Sequence, residues 1–200
     1  MVQQLEVWQG DFGDQYTDRN VIDWHKRYHT FQQMVGGLSI KRVLEVGCNR
    51  GHNLIALSEL LGVNGEVIGV EPNVHALRIA RAASPSVGVI RGDVFDLPFK
   101  DDYFDLVFTA GVLIHISLSD LSKALSEIYR LSKRYILAVE YFAPTETAIH
   151  YRGLDDVLWK RDFLKHYQTL YHNLTLVRSG CWGDEDGFDE THWWLLEKSV

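Results

Sequence analysis

The order of apolar runs in this chain predicts an α/β fold: a seven-stranded, mostly parallel sheet with helices on both faces, closed by an antiparallel hairpin. Three observations carry that expectation. Between residues 41 and 139, short strand-like runs alternate with stretches of helical periodicity, the pattern of a parallel sheet. The chain then ends in two strand-like runs with no helix between them, which makes a hairpin. A polar, aromatic-rich stretch over residues 1–39 precedes the first strand and reads as a helical cap.

From about Tyr16 to Val35 the N-terminal stretch has the character of one or two helices, ended by Gly36-Gly37. Lys41–Val46 is an apolar strand, and residues 52–61 form an amphipathic helix. Glu66–Glu71 is the second strand, followed by a helix over Val74–Ala83. Val87–Arg91 is the third strand and Phe104–Thr109 the fourth, introduced by the turn residues Asp101 and Asp102. Leu121, Leu125, Ile128 and Leu131 recur at helical spacing, so Ser119–Leu131 is a helix with Ser119 as its cap. Tyr135–Val139 is the fifth strand. A helix near Arg161–Leu170 leads to the strands Leu174–Ser179 and His192–Lys198, which flank an acidic loop. Residues 1–39 are thus expected as a helical lid and residues 40–200 as the main domain.

The chain has 200 residues, 46% of them hydrophobic, enough for a full core. A net charge of −7, with no run of more than two cations, opposes binding to a phosphate backbone, so no nucleic-acid partner is expected. Cys48 and Cys181 are the only cysteines, too few for a disulfide framework or a zinc site, and no metal is expected. No apolar stretch reaches membrane-spanning length and the N-terminus lacks a signal-peptide pattern. The expectation is a cytoplasmic protein away from the membrane, as a monomer or homodimer.

The chemistry concentrates at strand ends. Glu45-Val46-Gly47-Cys48-Asn49-Arg50-Gly51 reads as strand, tight loop and helix start, an arrangement that brings backbone N–H groups to a ligand. Glu71 ends the second strand twenty residues after Gly51, the spacing at which nucleotide folds set a carboxylate on a ribose. A dinucleotide fingerprint would need glycine where Asn49 and His52 stand, which moves the loop away from NAD. Asn49 tolerates left-handed backbone. Asp93 after Gly92 is either a turn-former or a ligand to a base. His115 follows the fourth strand, whose end faces the crevice of such sheets. It is either a structural histidine or, with an ordinary value near 6.5, a general base.

These motifs, with Val70-Glu71-Pro72-Asn73, Gly92-Asp93-Val94 through Phe99 and Phe104 through Ile116, together resemble the class I S-adenosylmethionine-dependent methyltransferases, whose fold is Rossmann-like. The resemblance covers residues 40–200 as architecture and implies S-adenosylmethionine as cofactor. It implies Glu45 on the cofactor's ammonium, the Gly47–Gly51 backbone on its carboxylate, Glu71 on the ribose, and Asp93 with the Val94 N–H on the adenine. Cys48, Asn49, Pro72, Asn73, Gly92, Ala110, Gly111 and Val112 complete the expected cofactor site. Tyr16 and Arg19 join it from the lid, and Arg19 is suited to grip a carboxylate of cofactor or substrate.

Trp8 through Asn20, Glu140 through Thr145, and the runs around Tyr151-Arg152 and Lys160-Arg161 resemble the methylases associated with pseudaminic acid biosynthesis. That implies O-methylation of a small acidic or sugar-like metabolite, of nonulosonic-acid type, in carbohydrate biosynthesis. Asn20, His115, Tyr141, Tyr151, Arg152, Lys160 and Arg161 are the candidate acceptor contacts, with the cations meeting a carboxylate or phosphate. His115 and Glu140 are the candidate bases. Two alternatives are a catalytically silent cofactor-binding protein and a protein or nucleic-acid methyltransferase. Against the amino-directed DNA enzymes, Ala110-Gly111-Val112-Leu113 stands where their Pro-Pro-aromatic motif would follow strand four.

Overall fold

The computed structural model describes residues 3–84 and 87–199. Met1, Val2, Pro85, Ser86 and Val200, which fall inside the two expected units, lie outside the described residues. Three helices open the chain: α1 (Gln3–Gln9), α2 (Asp11–Arg19) and α3 (Trp24–Val35). Then follow β1 (Arg42–Val46), α4 (His52–Leu61), β2 (Glu66–Glu71), α5 (Val74–Ala83), β3 (Gly88–Arg91), β4 (Phe104–Ala110), α6 (Leu118–Leu131) and β5 (Ser132–Glu140). A short ribbon, β6 (Thr147–Ala148) and β7 (Trp159–Lys160), precedes α7 (Phe163–Leu170), β8 (Leu174–Trp182) and β9 (Thr191–Lys198).

The main sheet has seven strands in the order β3-β2-β1-β4-β5-β9-β8. The first five are parallel, and β9 runs antiparallel to both β5 and β8. This is the predicted Rossmann-like architecture with its closing hairpin and N-terminal helices. The ribbon β6–β7 was not predicted; two residues per strand leave no period to read. The strand order reverses at β1–β4, which opens a crevice at the carboxyl ends of those strands.

Two-residue periodicity sends alternate side chains to opposite faces. Leu44, Val107, Ile136 and Leu196 pack with Leu125 and Ile128 of α6 and Phe163 and Tyr167 of α7. Their neighbours Val43, Leu106, Leu137 and Leu195 pack on the other face with Phe31 and Met34 of α3, Leu54 and Leu57 of α4, and Leu77 and Ala80 of α5. Two local expectations are corrected. The sixth helix begins at Leu118, so Ser117 rather than Ser119 holds the cap position; its hydroxyl turns to Asp120 Oδ2 at 2.7 Å. The seventh helix begins at Phe163 because Asp162 caps it, accepting from the Lys165 N–H.

The N-terminal helices are fastened to the loops that follow β1 and β2. Asn73 Nδ2 donates to Trp8 O (3.0 Å) and to Asp14 Oδ1 (2.8 Å). Asn49 Nδ2 donates to Thr17 Oγ1 (2.9 Å) and Arg50 Nη1 to Thr17 O (3.0 Å). Gly13 makes the closest approach, since a Cβ there would sit 1.9 Å from Trp8 O and 2.8 Å from Asn73 Nδ2. Among the described residues no helix is long and apolar enough to cross a membrane. Gly13→Ala should therefore lift α2 away from α1 and the β2 loop, with a loss of about 1–3 kcal/mol in urea denaturation.

Candidate active site

A cavity of about 630 Å³ lies where the ends of β1, β2 and β4 meet the N-terminal helices and the β8–β9 loop. Its floor starts with Glu45, the fourth residue of β1. Glu45 is 1% exposed. Asn53 Nδ2 donates to its Oε1 at 2.6 Å, while Oε2 has no partner among the described residues. Burial pushes its carboxyl up to about 8. The chain then turns through Gly47 at φ +77, where a Cβ would come within 2.5 Å of Val112 Cγ2. Asn49 takes φ +43, the left-handed conformation expected of it.

Glu71 closes this turn from the neighbouring strand. Its Oε2 accepts from the Asn49 N–H and its Oε1 from the Asn73 N–H, each at 2.8 Å. Burial raises it to about 7. Each oxygen keeps a lone pair for a further donor. Asp93 Oδ1 accepts from the Phe95 N–H at 2.9 Å, the bond of a turn-forming aspartate.

At the other end stands His115, in a single 3-10 turn over Leu113–His115. Its Nδ1 lies 2.7 Å from Val157 O. A carbonyl can only accept, so Nδ1 carries the hydrogen and Nε2 the lone pair. Burial lowers the ring to about 4, keeping it neutral. The Trp8 ring packs 4.3 Å from it and Tyr151 6.1 Å away.

Most predicted residues meet at this cavity. Tyr16, Arg19, Glu45, Gly47, Cys48, Asn49, Glu71, Pro72, Gly92, Asp93, Val94, Ala110, Gly111 and Val112 line it, and so do Asn20, His115, Tyr141, Tyr151 and Arg152. Arg19 lies over Phe12 (5.6 Å) and Tyr16 (5.3 Å). Burial and the field of Tyr151 push the Tyr16 hydroxyl up to about 12.

Five do not line the cavity. Gly51 sits behind the turn as the start of α4. Asn73 caps α5, accepting from Ala76 N–H, and faces α1 and α2. Glu140 is fully buried and spends both oxygens on the N–H groups of Val112, Leu113 and Ile114 at 3.1–3.3 Å; it anchors the His115 turn and is not placed to act as a base. Arg161 is 1% exposed, donating to Glu146 and to Ile116 O. Lys160 lies over the Tyr141 ring at 5.3 Å.

Sequence reasoning missed Trp8, Arg27, Phe188 and Asp189, which also line the cavity. Arg27 left a signal: it occupies the apolar stripe of α3 with Phe31 and Met34, where a cation is out of place. Phe188 and Asp189 lie in an acidic loop with no periodicity. Tyr141 Oη donates to Asp189 Oδ2 at 2.6 Å, and Phe188 stacks on Arg27, 3.3 Å from ring centroid to Cζ.

Comparison with known proteins bears on the fold. Residues 43–134 match the family model described as a methyltransferase domain. The chain is similar to demethylmenaquinone methyltransferase of Lactiplantibacillus plantarum, 34% identical over 123 residues, which are 57% of this chain and 51% of that protein. It thus spans about half the length of the curated relatives it matches. In fold it is similar to magnesium protoporphyrin IX methyltransferase of Synechocystis, with a TM-score of 0.74, 15% identity and 97% of each chain covered. It is similar also to the 1,6-didemethyltoxoflavin N1-methyltransferase of Burkholderia thailandensis, at TM-score 0.74 and 15% identity over 98% of this chain and 88% of that one. Both of those structures hold S-adenosylhomocysteine. The fold is shared with those solved methyltransferases, and residues 43–134 are similar to a methyltransferase domain.

Glu140→Ala should leave three N–H groups, two of them buried, unpaired and cost about 2–4 kcal/mol in urea denaturation. Glu140→Gln keeps one carbonyl oxygen for them and should cost about half as much.

Proposed function

We propose that this protein is a methyltransferase that uses S-adenosylmethionine to methylate an oxygen of a small acceptor. The observation that carries the reading is the convergence on one cavity of Glu45, the Gly47 turn, Glu71 and Asp93, in the order of their strands, together with His115. The residues fit the cofactor. Glu45 Oε2 lacks a donor and suits an ammonium. The Gly47 backbone leaves room that a side chain would fill. Glu71 has one lone pair per oxygen left for two ribose hydroxyls, and Asp93 one oxygen for the adenine amino group. When bound, S-adenosylmethionine supplies a methyl group on a cationic sulfur, already electrophilic.

The chain's own part is to bind, orient and deprotonate. The Val157 carbonyl fixes the His115 tautomer, so Nε2 takes the proton from an acceptor hydroxyl. Trp8 and Tyr151 hold the ring and keep water from it. Residues 1–39 act as the lid, fastened through Asn49 and Asn73. Arg19, Arg152 and Tyr141 suit an acidic acceptor, so the nonulosonic-acid type, the pseudaminic-acid methylase family and a place in carbohydrate biosynthesis remain the finer reading. The aromatic wall of Trp8, Tyr16 and Tyr151 favours a second: a flat ring such as the acceptor in the name of demethylmenaquinone methyltransferase. We further propose a cytoplasmic enzyme, monomeric or homodimeric, that does not act on nucleic acid. Incubation with labelled methyl donor and separate pools of sugar acids and hydroxylated aromatics, followed by mass spectrometry, tests the acceptor. Cofactor binding with no product in any pool would favour a silent binding protein.

Two outcomes are expected. Glu45, near 8 in the free protein, is largely protonated at neutral pH and must ionise beside an ammonium. S-adenosylhomocysteine binding should therefore release protons at pH 7 and tighten as pH rises from about 6 to 8. Calorimetry in buffers of different ionisation enthalpy measures this release, which Glu45→Gln should diminish. His115→Ala should lower kcat by about 10²-fold. Because the unprotonated ring is the base and titrates near about 4, wild-type kcat should stay flat down to about pH 5. An acid limb near pH 6.5, the ordinary histidine value, would contradict its assignment.

A further inference from the structure

We infer that Tyr141 Oη and the Asp189 carboxylate form a binding site for a second hydroxyl of the methyl acceptor, one that His115 does not deprotonate, so that the acceptor is a polyhydroxylated acid. The inference rests on the methyltransferase reading above and assigns a specificity site within it.

Tyr141 and Asp189 line the cavity from two different elements. Tyr141 follows the last residue of β5, and Asp189 lies two residues before β9. Tyr141 Oη donates to Asp189 Oδ2 at 2.6 Å. Burial and that bond hold the phenol well above its ordinary range, so it keeps its proton. A hydroxyl has one hydrogen to give. With it on Asp189, Tyr141 Oη offers lone pairs only, and a carboxylate likewise only accepts. A ligand group that meets this pair must therefore donate. A carbonyl, an ether oxygen or a second carboxylate would set lone pair against lone pair.

His115 Nε2 makes the same demand, because the Nδ1 hydrogen is held by Val157 O. Tyr151 neighbours both groups: its ring lies 6.1 Å from the His115 ring, and its field acts on the Tyr141 hydroxyl. Two atoms that only accept, lining one cavity, call for two donors on one ligand. One is the hydroxyl to be methylated, and the other stays a hydroxyl. Arg19 and Arg152 line the same cavity and can only donate. Within an acidic acceptor the carboxylate therefore falls to them, and Tyr141 takes a hydroxyl.

Both halves are held without a ligand. Tyr141 O accepts from the Arg161 N–H at 3.4 Å, and Lys160 lies over the Tyr141 ring. Phe188, beside Asp189, is 5% exposed and stacks on Arg27, and Gly187 before it turns at φ +81. Asp189 itself is exposed, so a ligand meets it at small desolvation cost.

Methylation kinetics with labelled donor tests this on four probes: 3-hydroxybenzoate, 3,4-dihydroxybenzoate, 3-hydroxy-4-methoxybenzoate and N-acetylneuraminate, a nonulosonic acid with several hydroxyls. The two probes with more than one hydroxyl should have a KM about 10-fold below that of 3-hydroxybenzoate. Tyr141→Phe should raise their KM about 10-fold, keep kcat within about 2-fold and leave 3-hydroxybenzoate unchanged. Asp189→Ala frees the phenol hydrogen to donate. The methoxy probe should then gain about 5-fold on the dihydroxy probe relative to wild type, a ratio that a merely structural role for the pair would not move. Equal KM for mono- and polyhydroxylated probes, a Tyr141→Phe loss of equal size on all of them, or an unmoved Asp189→Ala ratio overturns the inference. So does turnover of 3-hydroxybenzoate alone, or of none of the four. Calorimetry with S-adenosylhomocysteine addresses the underlying reading separately. No binding by the wild type sinks that reading, whereas normal binding assigns a failure to the hydroxyl site. Thermal unfolding of the variants separates loss of fold from loss of the site.

Discussion

The Glu71 carboxylate is the junction on which the rest of the site depends. One oxygen accepts from the Asn49 N–H and the other from the Asn73 N–H, so a single side chain sets the distance between the loops after β1 and β2. The same two asparagines use their side-chain amides to hold the N-terminal helices, through Thr17, Trp8 and Asp14. Sheet, turn and cap are thus joined by one short chain of hydrogen bonds. Charge-assisted bonds of this kind are stronger than neutral ones, which suits a carboxylate that burial would otherwise push toward its neutral form.

Three buried glutamates lie at or one residue before the ends of strands in this sheet, and their surroundings separate their hydrogen bonding. Glu140 meets three backbone N–H groups and is saturated. Glu71 meets two and keeps capacity on each oxygen. Glu45 meets one amide and keeps an oxygen with no donor at all. Burial is nearly equal in the three, so unmet hydrogen-bonding capacity, rather than exposure, sets Glu45 and Glu71 apart from Glu140. Leaving such capacity unmet in the interior costs free energy, and a fold keeps it where a ligand restores it.

The main sheet was legible because each strand is an apolar run with its own start and stop, and the helices α4 and α5 carry clear periodicity and begin where the turn residues end. The meeting of Glu45, Glu71 and Asp93 at one cavity was legible for the same reason: they lie at or beside strand ends, where sequence position fixes spatial position. The surroundings of the residues proposed for the acceptor were not. Glu140 also ends a strand, but which way its carboxylate turns depends on the Val112–Ile114 backbone, a contact some 27 residues away in the chain. Lys160 and Arg161 looked like a cationic pocket, yet the ribbon β6–β7 directs one over Tyr141 and buries the other. Arg27 was visible only as a charge misplaced on an apolar stripe.

The ribbon also ties the residues proposed for the acceptor to the proposed base. Arg161 Nη1 donates to the Ile116 carbonyl, one residue past His115, and the Val157 carbonyl, two residues before β7, accepts from His115 Nδ1. Tyr151 and Arg152, which line the cavity, belong to the same segment. A change there that reshapes the acceptor wall will move the Val157 carbonyl and with it the histidine tautomer. In the proposed reading, acceptor choice and proton removal are therefore properties of one structural unit, whereas cofactor binding is built on the strand ends beside it. Such a division lets the acceptor change while the sheet and its acids stay as they are.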